Sequence, residues 1–381
     1  MKIALITDGI YPFVLGGMQK HSYYIAKYFA RLGHHIIVFH CPPNDAVLAY
    51  NEYFTDKELE NLTFFEIPFP DTHTKPGHYI RNSELYSEAI RTQLMTIEDI
   101  DFIYTKGFTG ISLFKHKKDF KAPIAVQLHG LEMFQKGGNI KQWLEKILLK
   151  KPAKYCLNNA DVIFTYGGKI WDIIEEQNTN QATIIKQQGA ADDFWLQTEN
   201  TSRSFDNTFT FVGRFEHRKG LHLLHEIIPK IKEQFVLNIV GAVPDEAKID
   251  DARIHYHGNK SAEDIFSLLR NSTFLLVPSL AEGFPTIIVE AMAQGVIPIA
   301  TNVGAIAEII NNQNGLLFEA NNGNLLLQTI EKALSLPKQE RKVLSENARK
   351  TVLNHYNWDT TAAKLAEEIE QICDNRKRTD S

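Results

Sequence analysis

The sequence predicts an α/β protein made of two doubly wound parallel-sheet (Rossmann-like) domains facing a cleft. Three observations lead there. At 381 residues the chain exceeds the ~100–200 residues of a usual domain, so two cores are expected. Short, uniformly apolar runs alternate with segments of helical periodicity in both halves, the pattern of strands buried on both faces and joined by helices. A polar stretch without periodicity at 197–207, QTENTSRSFDN, separates the two series and reads as a linker.

Lys2–Thr7 is the first strand. A helix follows Gly16-Gly17, patterned by Tyr24, Ile25, Tyr28, Phe29 and Leu32, and Gly33 stops it. The chain then returns as HHIIVFH, completing a β-α-β unit. Further strands are expected at 62–67, 101–105, 123–128, 161–165 and 182–186, with helices around 82–97, 140–157 and 168–177. Past the linker, strands are expected at 209–215, 235–241, 254–258, 273–279, 296–300 and 315–320. Helices there are expected at about 220–233, 261–270 and 285–294. The last periodic segment, 357–373, is an amphipathic helix with no strand after it.

Bulk properties exclude several classes. A net charge of −5 argues against a nucleic-acid binder, which needs a basic face for phosphates. Cys41, Cys156 and Cys373 are far apart with no CxxC spacing, which favours a reducing compartment over a disulfide framework. The apolar run before Asp8 is too short for a signal-peptide core, and no stretch approaches the ~18 apolar residues of a membrane span. A cytoplasmic location is therefore expected, with room for peripheral contact with a membrane face.

In doubly wound folds, ligands bind beyond the carboxyl ends of the strands, so four loops draw interest. Gly16-Gly17 precedes a helix, where glycine lets backbone approach a ligand and the first amides favour an anion, although such a pair alone also makes an ordinary turn. FVGRFEHRKG sets Arg214 after a strand and Lys219 before a helix, two cations suited to a diphosphate or simply to a solvated turn. AEGFPTIIVEAMAQG is the most informative. Glu282 and Gly283 lie in the loop, Phe284 follows, Pro285 suits a helix start, and the amides of Thr286 and Ile287 are free donors. Glu290 sits a turn and a half into that helix among apolar residues, where an unpaired carboxylate is costly, so a hydroxyl pair such as a ribose diol is its expected partner. AVQLHGLEMF places His129 at a strand end on the opposite wall. Asp99-Ile100-Asp101 matches a metal-binding DxD pattern but precedes its strand, at the wrong end of the sheet; no metal site is expected. HExxH, P-loop, GxGxxG and GxSxG motifs are missing from the sequence.

Taken together, these residues resemble retaining glycosyltransferases of the GT-B fold, family 4, whose E-x7-E signature is similar to Glu282 through Glu290. The GR…KG turn, the HG element, NVGAIAEII and NGLLF extend the resemblance along the chain. Val303 replaces one glycine of the family pattern, and Ala191 takes an aspartate position, so neither it nor Asp192 is given a role. The resemblance implies an acceptor-side domain at 1–196, a donor-binding domain at 208–356, and a 357–373 helix crossing back to the first domain. It implies a metal-independent hexosyltransferase that uses no cofactor. The substrate would be a nucleoside diphosphate sugar, a UDP-sugar before a GDP-sugar, with a loop such as Gly258–Lys260 near the base. By the same resemblance, Arg214 and Lys219 would hold the diphosphate, Glu290 the ribose and Glu282 a sugar hydroxyl. Residues 283–287 would contact sugar and phosphate, Gly16 and Gly17 would close on the diphosphate, and His129 would touch the sugar. The acceptor would be a sugar or a lipid-linked group in glycan, polysaccharide or glycolipid assembly. Loop 71–80 and Thr105–Thr109 are placed for acceptor contacts, and the basic amphipathic segment 141–154 reads either as a membrane contact or as a core helix with a solvated face. The alternatives are a nucleotide-sugar epimerase of the same fold and a non-catalytic nucleotide-sugar-binding protein.

Overall fold

The structure, a computed structural model, describes residues 1–43, 48–70, 78–135, 140–196 and 203–379, with 140–145 and 379 described in backbone only. Loop residues 71–77 and linker residues 197–202 lie outside the described residues.

Seven strands form the first sheet: β1 (Lys2–Ile6), β2 (His35–His40), β3 (Leu62–Glu66), β4 (Phe102–Lys106), β5 (Ile124–Gln127), β6 (Val162–Thr165) and β7 (Thr183–Lys186). Their spatial order is β3-β2-β1-β4-β5-β6-β7, with every pairing parallel. The second sheet has six: β8 (Thr208–Val212), β9 (Val236–Val240), β10 (Ile254–Gly258), β11 (Phe274–Val277), β12 (Ile297–Thr301) and β13 (Leu316–Phe318). It is again parallel, ordered β10-β9-β8-β11-β12-β13. Central strands such as Ile3–Ile6 are fully buried because helices cover both faces.

The helices around the first sheet are α1 (Gly17–Arg31), α2 (Asp56–Leu59), α3 (His78–Leu94), α4 (Ile111–Lys115), α5 (Ile140–Asn159) and α6 (Lys169–Gln177), and α7 (Asp193–Leu196) follows where the chain crosses over, its Trp195 buried in the core of the second sheet. Around the second are α8 (Leu221–Ile227), α9 (Ala262–Arg270), α10 (Thr286–Ala293), α11 (Ile306–Ile309), α12 (Gly323–Ser335) and α13 (Lys338–His355). Local chemistry sets their ends. Gly33, at φ +85°, takes the left-handed conformation that closes α1, and the Ser261 hydroxyl accepts from the Asp264 amide at 3.2 Å to start α9.

Last comes α14 (Trp358–Thr379), which packs on the first sheet's core. The Trp358 indole stacks on Tyr24 and Tyr28 at 5.0 and 5.9 Å, and Ala362, Leu365, Ala366 and Ile369 follow at helical spacing into the same core. The chain therefore passes between the domains twice, and the passes are paired: the Ala191 amide donates to the Tyr356 carbonyl at 2.8 Å. Asp101 sits at the amino end of β4, accepting from the Lys2 amide at 2.9 Å and facing Lys377 at 3.3 Å, a structural use for the DxD-like pair.

Three local expectations are corrected. The helix expected at 220–233 stops at Ile227, because Pro229 has no amide to continue it and residues 228–230 tighten into a 3-10 turn. The strand expected at 209–215 ends at Val212, since Gly213 and Arg214 leave the sheet toward the cleft. Helices α12 and α13 were not anticipated; the buried side of α13 is mostly small or polar (Arg341, Ser345, Ala348, Val352), so it shows no apolar stripe. Within the 197–207 stretch, Arg203 donates to the carbonyls of Gly295 and Leu269 at 2.6 and 3.1 Å.

Trp358, 3% exposed, joins the last helix to α1. Trp358→Ala is expected to cost about 3–5 kcal/mol in urea unfolding followed by circular dichroism; a loss under 1 kcal/mol would show that α14 is held elsewhere.

Candidate active site

The strand order of each sheet reverses once, between β1 and β4 and between β8 and β11. Crossovers leave the two sides of that point in opposite directions, so a crevice opens beyond the strand ends. The loops that border it carry Gly16-Gly17 after β1, residues 213–220 after β8, and residues 278–285 after β11. His129 follows the neighbouring β5.

The loops after β8 and β11 are fastened together. A Cβ on Gly220, at φ +74°, would lie 1.9 Å from the Pro278 carbonyl oxygen, so only glycine fits. Next to it the Leu280 amide donates to the Arg218 carbonyl at 2.7 Å. This brings Lys219 Nζ to 2.7 Å from Glu282 Oε1, which also accepts from the Ser279 hydroxyl at 2.7 Å. Arg218 approaches the other carboxylate oxygen at 3.8 Å and pairs with Glu216 at 2.7 Å. Arg214 pairs with Glu216 at 3.0 Å while its side chain is 77% exposed, the most solvated of the site cations.

Beyond Glu282 the chain enters α10, with Pro285 capping it and the first-turn amides of Thr286 and Ile287 unpaired within the helix. Here the two domains touch. A Cβ on Gly283 would meet the His129 carbonyl oxygen at 2.3 Å, so this loop abuts the opposite wall backbone to backbone. Phe284 packs against Tyr166 at 5.1 Å, and the Gln135 side chain donates to the Glu282 carbonyl at 3.2 Å.

Behind His129 lies a buried polar cluster. Tyr166 Oη is 3.3 Å from His129 Nδ1, and the His129 and His21 rings meet edge to face at 5.6 Å. His21 Nδ1 is 3.0 Å from Nζ of Lys106, which is fully buried, bonds Gln127 and sits 3.7 Å from the Tyr104 ring centre. The Nε2 atoms of both histidines are buried and have no hydrogen-bond partner among the described residues. Burial, and then the neighbouring Lys106, pull both imidazoles well below the usual histidine range, and burial does the same to Lys106. Both histidines are thus neutral at physiological pH.

The resulting cleft holds about 400 Å³. It brings together Gly17, His129, Arg214, Lys219, Glu282, Gly283, Phe284, Pro285, Thr286 and Ile287 from the sequence expectation. A Cβ on Gly17 would meet nothing within 4 Å, so the protein leaves that space open. Gly16 and Glu290 are not part of the lining. Gly16 precedes α1, and Glu290 is turned to Lys20 Nζ at 2.9 Å. Lys20, His21, Tyr166 and Arg218 also line the cleft and were missed. Arg218 adjoins Lys219 in the sequence and could have been named with it, whereas Lys20 and His21 on α1 and Tyr166 after β6 belong to no motif and reach the cleft only through the fold. Of the basic segment on α5, Ile147 and Leu148 are 47% and 50% exposed beside exposed Lys150, Lys151 and Lys154, while Ala153, Cys156 and Leu157 are buried. The side chains of Lys141, Trp143 and Leu144 lie outside the described residues.

Comparison with known proteins agrees with this architecture. Residues 15–182 match the family model described as Glycosyltransferase Family 4, and residues 196–351 match Glycosyl transferases group 1. The chain is a group 1 glycosyltransferase of the GT-B fold. An uncharacterized glycosyltransferase of Methanocaldococcus jannaschii is 27% identical over 98% of this chain and 99% of that one. Among solved structures, sucrose-phosphate synthase from Thermosynechococcus elongatus superposes with a TM-score of 0.77 at 18% identity, covering 97% of this chain and 98% of that one. HepE from Anabaena, solved in complex with UDP and glucose, gives a TM-score of 0.70 at 16% identity, covering 97% and 100%.

The neutral histidines set a pH dependence. Their folded pKa values lie below the ordinary value near 6.5, so the unfolded chain alone takes up protons as pH falls through that value, and stability is lost on the acid side. Each should contribute a loss of roughly 1 kcal/mol per pH unit below about 6.5. The drop in unfolding free energy from pH 7.5 to 5.5 should therefore shrink in a His21→Asn/His129→Asn variant; an unchanged slope would show that these rings titrate normally.

Proposed function

We propose that this glycosyltransferase transfers a hexose-type sugar from a nucleoside diphosphate sugar to an acceptor hydroxyl with retention of configuration and without a metal. The observation that carries the reading is Glu282, held by Lys219 at 2.7 Å directly before the free amides of α10 and facing the His129 wall. Arg214, Arg218 and Lys219 lie against carboxylates. A donor diphosphate takes over Lys219 and Arg214, and the first-turn amides of α10 add donors, so charge on the departing diphosphate is stabilised by preorganised groups. The exchange frees Glu282 to accept from a sugar hydroxyl, and Glu290 serves the ribose. His129, neutral, contacts the sugar from the opposite side, and Gly16-Gly17 bring backbone close to the diphosphate.

For the chemical step we favour attack by the acceptor hydroxyl on the face the diphosphate leaves, its proton passing to a donor phosphate oxygen. Glu282 Oε1 already accepts from Lys219 and Ser279, and a carboxylate so engaged suits a positioning role better than that of a free nucleophile. Support for a uridine donor comes from HepE, whose structure holds UDP and glucose. The acceptor is a sugar or a lipid-linked group. Ile147 and Leu148, exposed beside Lys150, Lys151 and Lys154, support peripheral contact of α5 with an anionic membrane.

Two experiments test this reading. In a thermal-shift screen of UDP, GDP, ADP and their sugars, the true donor class should stabilise the protein by about 2.7 kcal/mol at 100 times Kd. Glu282→Gln should keep nucleotide binding within threefold and lower turnover about 100-fold; full turnover would end both the positioning and the nucleophile role. For the membrane contact, sedimentation with phosphatidylserine vesicles should fall with salt and be lost in Lys150→Glu/Lys151→Glu. Equal sedimentation with neutral phosphatidylcholine vesicles would rule out the charge-driven contact.

A further inference from the structure

Formal charge differs between two sides of the cleft, one at the 213–220 loop and one where Lys20 lines the cleft with Glu290 and Asp192 behind it. On the side of the 213–220 loop, Arg214, Arg218 and Lys219 face the carboxylates of Glu216 and Glu282, leaving an excess of one positive charge. Between α1 and α10 the balance is reversed. One ammonium, Lys20, stands between two carboxylates, 2.9 Å from Glu290 Oε1 and 3.4 Å from Asp192 Oδ2. An anion is drawn to the first side and repelled by the second, which is suited to groups that donate hydrogen bonds without carrying charge.

The lysine joins parts of the chain that only the fold brings together. Lys20 lies in the first turns of α1 and lines the cleft, Glu290 belongs to α10 of the other domain, and Asp192 lies where the chain passes between them. Asp192 is held in turn by the Tyr24 hydroxyl, and Tyr24 is stacked on Trp358. Burial works against the Lys20 ammonium, but Glu290 and Asp192 outweigh it and hold its pKa above the ordinary lysine value. Lys20 takes Oε1 of Glu290, and the Glu290 carboxylate makes no other hydrogen bond among the described residues.

We infer that Lys20 is a positioning residue for nucleoside recognition: it clamps Glu290 from across the domain interface so that the free carboxylate oxygen accepts from the ribose hydroxyls of the donor. This deepens the donor-site reading above and rests on it. It has a consequence of its own. Because the clamp comes from the opposite domain, the carboxylate is correctly set only while the domains are closed, and the ribose diol is read in that state alone. The division of charge fixes the polarity of the bound donor as well, with ribose at Lys20–Glu290 and diphosphate at Arg214–Lys219.

Calorimetric titration with UDP, GDP and ADP, then with the 2′,3′-dideoxy form of the one that binds, separates the possibilities. Wild type is expected to prefer the ribonucleotide by about 10–100-fold, the range of a charge-assisted hydrogen bond. Lys20→Met should weaken ribonucleotide binding about tenfold while hardly changing dideoxy binding, so the preference falls to about threefold or less. Lys20→Arg should recover part of it, and Lys20→Gln serves if the methionine variant does not fold. A Lys20→Met protein with the wild-type preference overturns the inference. If Glu290→Gln abolishes the preference while Lys20→Met retains it, Glu290 keeps its ribose role and the clamp falls. Wild type that binds a nucleotide without preference removes both, and wild type that binds none of the three removes the donor-site reading itself.

Discussion

Everything in the cleft depends on the carboxyl ends of two parallel sheets facing each other. The paired passes of the chain that link the two domains, Ala191 against Tyr356, run between them, and Trp358 is inserted beside Tyr24 and Tyr28. A single pass would leave the domains free to turn about one strand of chain. Two passes joined by a hydrogen bond, with an indole packed beside them, restrict that freedom. Loops that are more than 100 residues apart in sequence then meet at backbone distance, as Gly283 does with His129.

Within that frame, the cost of burying charge shapes the site. A carboxylate or ammonium withdrawn from water needs a counter-charge, and in the cleft Lys20, Arg214, Arg218 and Lys219 each have a carboxylate neighbour. These pairs hold the side chains in place, and on the donor-site proposal binding is an exchange of partners with little reorganisation of the protein. The His21–Lys106–Gln127 cluster behaves otherwise. Among the described residues no carboxylate pairs with it, its imidazoles stay neutral, and it forms a polar backing to the wall that carries His129.

How much was legible in the sequence follows from how local each signal is. Alternating apolar runs and helical periodicity come from burial on each element's own faces, so strand order along the chain and the parallel class could be read directly. Where a local rule competed, the reading slipped: Pro229 cut a helix short, and the polar, charge-rich α13 hid its buried side. The loop from Glu282 to Ile287 was legible because glycine, proline and acidic residues at that spacing serve no purpose in an ordinary loop. Glu290 was legible as a carboxylate needing a partner.

The sequence by itself determined the fold class, the loops that border the cleft and the residue types gathered there, because these follow from periodicity, backbone freedom and the cost of burying charge along one stretch of chain. Only the tertiary structure decided which groups meet. Lys20 pairs with a glutamate 270 residues away, Lys106 is buried against His21, and Arg218 joins Lys219 at Glu282. Such pairings depend on two sheets packed at a particular approach, a distance and direction that no local pattern of residues encodes.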